Sequence, residues 1–501
     1  MLILDLNLNL DLDLILRSNL MKILLAASEV APFAKTGGLA DVTGSLPKAL
    51  KKMGHDVRII MPYYSEVQTG GFTVKKGRKS VEIKIGDSMK KGFMRHAVID
   101  DIPVYFLENR EYYQRKHLYG TPAGDYPDNP ERFTFFCRGV LQLMKKMDFR
   151  PDIIHCNDWQ TALIPVLMKY ELAGDPFYMK TGVLYTIHNL AYQGLFPAEV
   201  LERMGLDESY FAIDRLEYYG KLNLMKGAIL AADVINTVSE TYCREIQGAA
   251  AGCGLEGVLQ QRSQDLFGVL NGLDCDVWDP SMDSRLHRNY SVASLAARHY
   301  NKRNLQKELG FQGSGDIPVL GLVSRLAEQK GIDLVLALLP FFRAEQLQLV
   351  ILGTGDERYI KALQKAGAAN IHIHVGYDQM MAHRVYASSD IFIMPSRYEP
   401  CGLGQLIALR YGAIPVARKT GGLADTIVDL QENPREANGF LFEEYDEESF
   451  QAAIERALSA YRDQKVWKRL VRRGMEADHS WGRSAVRYEE LYRLALSKKV
   501  L

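Results

Sequence analysis

A chain of 501 residues is too long for one hydrophobic core and predicts two domains. Apolar residues make up 47% and charged residues 24%, ordinary for a globular protein, and the 61 basic and 61 acidic side chains cancel, which argues against a general binder of nucleic acid or acidic surfaces. The six cysteines form no C-x-x-C pair, so a disulfide framework or a zinc site is not expected, and a reducing cytoplasm fits best.

Residues 1–20, MLILDLNLNLDLDLILRSNL, alternate Leu or Ile with Asp or Asn at strand period. They have neither a basic n-region nor an uninterrupted apolar core, so they read as neither a signal peptide nor a membrane span. The expectation is a dispensable extension, with Met21 as the functional start. KILLAASEV then reads as a buried strand. KTGGLAD follows at 35–41, and the same seven letters return at 419–425. In each copy a Gly-Gly turn feeds a helix start, which makes an anion site where main-chain N–H groups face a ligand.

DVRIIMP, DIIHCND and GVLYTIHN continue the first half as buried strands; VLGLVSRL, LQLVILGTG, IHIHVG, DIFIMPS and AIPVARK do the same in the second. Such runs, separated by helical stretches, predict an α/β fold with doubly wound parallel sheets, whose ligands bind at the carboxyl ends of the strands. LFGVLNGLDCDVWDP breaks this rhythm, which places one domain at 21–265 and the next at 266–480. The last helix, 481–501, is expected to cross back to the first domain. On this reading each domain offers one KTGGLAD turn to the same ligand-filled gap.

Several strand ends carry chemistry. Asp158 in HCNDWQT and His188 in TIHNLAYQG close strands of the first domain, although a lone His there is more often structural. In SRLAEQKG, Arg325 and Lys330 put two cations at a strand's carboxyl end, which suits the diphosphate of a departing nucleotide. In RYEPCGLGQL, Glu399 precedes a loop, Gly402-Leu403-Gly404, that can aim N–H groups at phosphate or sugar, and a carboxylate there can accept from sugar hydroxyls. Cys401 in this loop reads better as a small packed side chain than as a reactive thiol.

Taken together, KTGGLADV, HCNDWQT, TIHNLAYQG, NGLD, SRLAEQKG, VGY, SRYEPCGLGQL and KTGGLADT resemble, in order and from about Met21 to the C-terminus, the bacterial glycogen synthases and plant starch synthases. These are retaining glycosyltransferases of the GT-B fold. The resemblance implies two Rossmann-like domains facing a deep interdomain cleft, the first holding an α-1,4-glucan such as glycogen and the second ADP-glucose. Glucose would pass to the 4-hydroxyl at a non-reducing end with retention, releasing ADP, on one face of the sugar through an oxocarbenium-like ion pair. No cofactor, metal, nucleic acid or membrane is called for.

By the same resemblance Lys35 contacts the donor phosphates, Arg325 and Lys330 stabilise the departing ADP, and Glu399 and His188 surround the transferred glucose. Tyr377 stacks on adenine. Gly37, Gly38, Asp41, Asp158, Asn271, Cys401, Gly402, Leu403 and Gly404 complete the substrate-binding set. Two positions depart from the family pattern. Ile407 stands where a ribose-binding Glu is common, and Gly404 where a threonine is expected. The competing readings are a related enzyme that uses UDP-glucose or makes sucrose-like products, and a catalytically silent glucan-binding scaffold.

Overall fold

The computed structural model describes residues 20–121, 123–312 and 316–499; the extension expected over 1–20 lies, Leu20 apart, outside the described residues. The chain divides into two compact units. One comprises the chain up to Thr237, Ile246–Val269 and the segment from Trp481; the other comprises Val238–Glu245 and Leu270–Ser480.

The first unit is built on a nine-stranded sheet. Its strands are β1 (Lys22–Ala26), β2 (Asp56–Pro62), β3 (Lys75–Ile85), β4 (Ser88–Ile99), β5 (Ile102–Glu108), β6 (Ile153–Asn157), β7 (Gly182–Ile187), β8 (Val234–Thr237) and β9 (Leu266–Gly268). Their order is β9-β8-β7-β6-β1-β2-β5-β4-β3, and all pairings are parallel except those of β4 with β3 and β5. β1 and β6 are buried almost end to end, as strands covered on both faces are, and the polar His155 and Asn157 of β6 are hydrogen-bonded inside. Chain order runs outward through β6, β7, β8 and β9 on one side, and β1 starts the other side with β2, beyond which β5, β4 and β3 form the antiparallel edge, so the sheet's switch point lies between β1 and β6.

The helix Trp481–Ser497 closes this unit: the Tyr492 hydroxyl lies 2.9 Å from His155 Nδ1 on β6, and Gly182 on β7 leaves room for the main chain of Ala495. The sequence boundary at 266 moves to 270, because Leu266–Gly268 pairs in parallel with β8 and stays with the first sheet. Val238–Glu245, assigned by sequence to the first domain, belongs to the second unit.

The second unit holds six parallel strands: β10 (Val319–Leu326), β11 (Gln348–Gly355), β12 (Ile371–Val375), β13 (Ile391–Met394), β14 (Ile414–Arg418) and β15 (Phe440–Phe442). Their order is β12-β11-β10-β13-β14-β15, which puts a second switch point between β10 and β13. Leu320, Leu322, Ile351, Ile391 and Val416 line the core beneath it. Among the described residues no helix is long and apolar enough to cross a membrane.

Candidate functional site

In the second unit the sequence-predicted residues gather at the switch point. Arg325 is the last residue but one of β10, Lys330 closes the short turn Glu328–Lys330 after it, and Glu399 lies in the loop after β13. Two loops can meet this closely because residue 331 has no side chain: a Cβ there would lie 1.8 Å from the Pro395 carbonyl oxygen, and φ is +70°. The Arg397 N–H then donates to the Gln329 carbonyl at 2.9 Å. Lys330 Nζ reaches the Glu399 carboxylate at 2.5 Å, and the Ser396 hydroxyl donates to the same oxygen at 3.1 Å. Glu399 is 5% exposed. A carboxylate this buried is costly without such partners. Arg325 is exposed and held loosely, 3.2 Å from Gln329 Oε1, which leaves most of its guanidinium donors open to an anion.

Tyr377 follows β12 at the same edge of the sheet, with its side chain 80% exposed, so one ring face is available for stacking. Asn271 is buried, and its Oδ1 has no hydrogen-bond partner among the described residues, which leaves an acceptor for a hydroxyl. The thiol of Cys401 is packed away, and burial pushes its pKa up to about 12, so it is no nucleophile. Contacts from the 401–404 loop are therefore left to its main chain and to Leu403. A Cβ on Gly404 would lie 3.3 Å from the Met394 methyl and 3.4 Å from both Phe392 and Tyr386, so the expected threonine would fit snugly, asking only a small shift of the flexible Met394 side chain. Ile407 sits in the hydrophobic core.

The first unit gathers its residues at its own switch point. Lys35, Thr36, Gly37 and Gly38 lead from β1 into the helix Gly38–Lys52. Lys35 Nζ pairs with Asp41 at 2.6 Å, both half exposed. Such a pair is worth about 0–1 kcal/mol, so the ammonium is readily exchanged to another anion. Asp158 follows β6 and adopts φ +56°, and its carboxylate accepts the His188 N–H at 2.8 Å. Burial raises Asp158 to about 7, against that hydrogen bond and with help from the nearby charge of Glu29.

His188 follows β7. Burial lowers its pKa to about 3, so the ring is neutral. Its Nε2 lies 2.9 Å from Asn157 Oδ1, while the Asn157 amide donates to the Ala26 and His155 carbonyls. Nε2 must then carry the proton, and Nδ1 is the acceptor the ring can offer to a hydroxyl. A cavity of about 750 Å³ elsewhere in the first unit, between Met168, Lys169, Leu230, Arg262 and Lys498, holds none of these groups.

Sequence reading missed the groups that hold the site in place. Glu29 accepts from Thr36 Oγ1 at 2.6 Å and Gly37 N at 3.3 Å. Glu245 accepts from Thr420 Oγ1 and Gly421 N, both at 3.0 Å. Ser396 and Asn157 were also unmarked. Ser396 stands inside SRYEPCGLGQL and Asn157 inside HCNDWQT, and Glu29 lies a few residues before KTGGLAD, so these three could have been suspected; nothing in the local sequence marks Glu245.

The second switch point thus gathers two cations and a paired carboxylate, and the first gathers Lys35, Asp158 and a neutral His188. Residues 22–261 match the starch synthase catalytic domain, and residues 306–473 match the glycosyl transferases group 1 domain. The catalytic domain of starch synthase IV from Arabidopsis thaliana, solved bound to ADP and acarbose, superposes with a TM-score of 0.89 at 35% identity, over 95% of this chain and 100% of that one. Sucrose-phosphate synthase from Thermosynechococcus elongatus, at 18% identity and a TM-score of 0.59 over 95% of this chain and 99% of its own, shares the fold alone. The protein is thus a glycosyltransferase of the GT-B fold. A glycogen synthase of Geotalea uraniireducens is 63% identical over 482 residues, 96% of this chain and 100% of that protein. The chain belongs to the glycogen synthase family.

Proposed function

We propose that the enzyme transfers glucose from ADP-glucose to the 4-hydroxyl at a non-reducing end of an α-1,4-glucan, with retention, releasing ADP. The observation that carries this reading is the cluster of Arg325, Lys330 and Glu399 at the second switch point, with Tyr377 on the same sheet edge. Arg325 and Lys330 neutralise the charge that develops on the leaving diphosphate; removing one such donor typically costs about 10²–10³ in rate. Lys35 supplies a further cation to the diphosphate. Glu399 accepts from hydroxyls of the transferred glucose. His188, neutral with Nε2 engaged, accepts a sugar hydroxyl through Nδ1 rather than donating a proton to the leaving group.

Glu399 is tied to Lys330 and Ser396, and the Asp158 carboxylate to the His188 main chain. The family resemblance is the support for reaction on one face of the sugar, with the leaving phosphate taking the acceptor's proton. The relative solved with ADP and acarbose supports the adenine nucleotide. Tyr377 supports it too: base–aromatic stacking is worth about 1–3 kcal/mol per base, and adenine offers a larger face than uracil.

The test is competition between ADP-glucose and UDP-glucose at equal concentration, with glycogen as acceptor. ADP-glucose is expected to be consumed faster, and Tyr377→Ala to raise its KM. Faster use of UDP-glucose overturns the donor assignment and the role of Tyr377. NMR of the anomeric proton of the first product reads retention directly.

A further inference from the structure

Residues 238–245 belong to the second unit, while the chain on both sides, up to Thr237 and from Ile246, belongs to the first. Three side chains of this stretch reach the two loops that frame Glu399. The Ser239 hydroxyl, fully buried, donates to the Pro400 carbonyl at 2.6 Å. Thr241 donates to the Asp425 carboxylate from its N–H at 2.9 Å and from its hydroxyl at 2.5 Å. Glu245 accepts from Thr420 and Gly421.

What these contacts hold is main chain. A Cβ on Gly421, whose φ is +45°, would lie 2.0 Å from the Glu399 carbonyl oxygen, and one on Gly422 would lie 2.1 Å from that of Cys401. Gly422 N donates to the Glu399 carbonyl at 3.1 Å. The Glu399–Cys401 backbone therefore rests directly on the Gly421–Gly422 backbone. Glu245 anchors that support from below, and Ser239 holds the next carbonyl along.

We propose that Glu245 and Ser239 are positioning residues for the transfer: through Thr420, Gly421 and Pro400 they set where the Glu399 main chain sits, and so where its carboxylate meets Lys330 and the sugar. The inference rests on the reading of Glu399 as a residue that touches the transferred glucose. Misplacing such a group by about 1 Å costs up to about 10²-fold in rate.

The test compares Glu245→Ala, Glu245→Gln, Ser239→Ala, Glu399→Ala and the double variant Glu245→Ala/Glu399→Ala. Nucleoside-diphosphate release is measured with glycogen and whichever of ADP-glucose or UDP-glucose the wild type consumes faster, and each variant is melted by calorimetry. Glu245→Ala is expected to lower kcat about tenfold or more with KM for glycogen unchanged. Glu245→Gln is expected to keep most of the rate, because its amide oxygen accepts the same two bonds. Ser239→Ala should lower kcat in the same sense. In the Glu399→Ala background, Glu245→Ala should cost nothing further, since the group it positions is gone.

Wild-type kcat in folded Glu245→Ala overturns the proposal, as does a loss that multiplies independently with that of Glu399→Ala. If Glu245→Ala does not fold, Ser239→Ala decides: a lowered kcat at unchanged glycogen KM supports the proposal, and an unchanged kcat overturns it. A fully active Glu399→Ala would instead remove the reading on which the inference rests; an impaired Glu399→Ala beside a fully active Glu245→Ala removes the inference alone.

Discussion

The two KTGGLAD segments are identical in sequence and opposite in use. Both turn into a helix, and both bind an acidic side chain of the protein at the turn, Glu29 in the first copy and Glu245 in the second. In the first copy the glycines face outward: among the described residues, no atom beyond their own turn lies within 4 Å of where a Cβ on Gly37 or Gly38 would sit. In the second the glycines are buried and meet the backbone of Glu399–Cys401. The lysines differ as well. Lys35 has one exposed partner, Asp41, whereas Lys419 is held by both Glu432 and Glu443. A seven-residue motif thus encodes a turn, a helix start and a carboxylate grip. Whether its glycines serve a ligand or a neighbouring loop depends on what the fold brings against them. The expectation that both turns present main chain to a ligand is corrected for the second copy, whose open faces are already filled by protein.

The sharpest way to break this comparison is the same substitution in each copy. Gly421→Ala must displace the Glu399 carbonyl and place a side chain at positive φ, so it should cost about 3 kcal/mol or more and most of the activity. Gly37→Ala, on extended backbone with φ −156° and open space, should change stability by no more than about 0.5 kcal/mol. Thermal melts of the pair check both; equal losses would erase the distinction.

A smaller contrast lies in the lysines. Lys35→Ala is expected to lower kcat by about tenfold or more through lost leaving-group stabilisation, with Lys330→Ala as the positive control. Lys419→Ala, which breaks only exposed ion pairs, should leave kcat unchanged. Steady-state kinetics on the three variants decide whether the lysines diverge as the glycines do.

The smallest expected effect concerns the buried groups beside the first copy. Asp158 has an ordinary pKa of 3.8 and is raised to about 7 in the fold. Below 3.8 it is protonated folded or unfolded, and its contribution is fully present. As pH rises toward 7 the unfolded chain ionises while the buried group keeps its proton, so that contribution is lost. Asp158→Asn should therefore flatten the stability profile between about pH 4 and 7 and add on the order of 1 kcal/mol at pH 8. His155 and His188, both lowered to about 3, act in the opposite sense: their stabilisation is present above 6.5 and lost as the pH falls toward 3. Melting curves of wild type and Asp158→Asn from pH 4 to 8 separate the two effects.

Much of this protein is written in local sequence. The largely apolar runs KILLA, DVRIIMP, IIHCN, GVLYTI, VLGLVSRL and QLVILGTG all became strands, because a parallel strand covered on both faces has little room for polar residues and so announces itself. Lys35, Asp158, His188, Arg325, Tyr377 and Glu399 were legible for a related reason: a motif directly after such a strand lies at the sheet's carboxyl edge wherever the strand ends up. The chain between residues 75 and 108 was less legible. Its strands alternate and reach solvent, as in VEIKI and HAVI, and their pairing depends on register with one another. Only the tertiary structure decided the rest. It joined Lys330 to Glu399 across 69 positions and Gly421 to Glu245 across 176. It also placed the Glu399 backbone on one Gly-Gly pair and left the other pair open. Hydrogen bonds and steric contacts act over a few ångströms of space, and the sequence orders residues by chain distance alone, so identical neighbours in the chain met different neighbours in the fold.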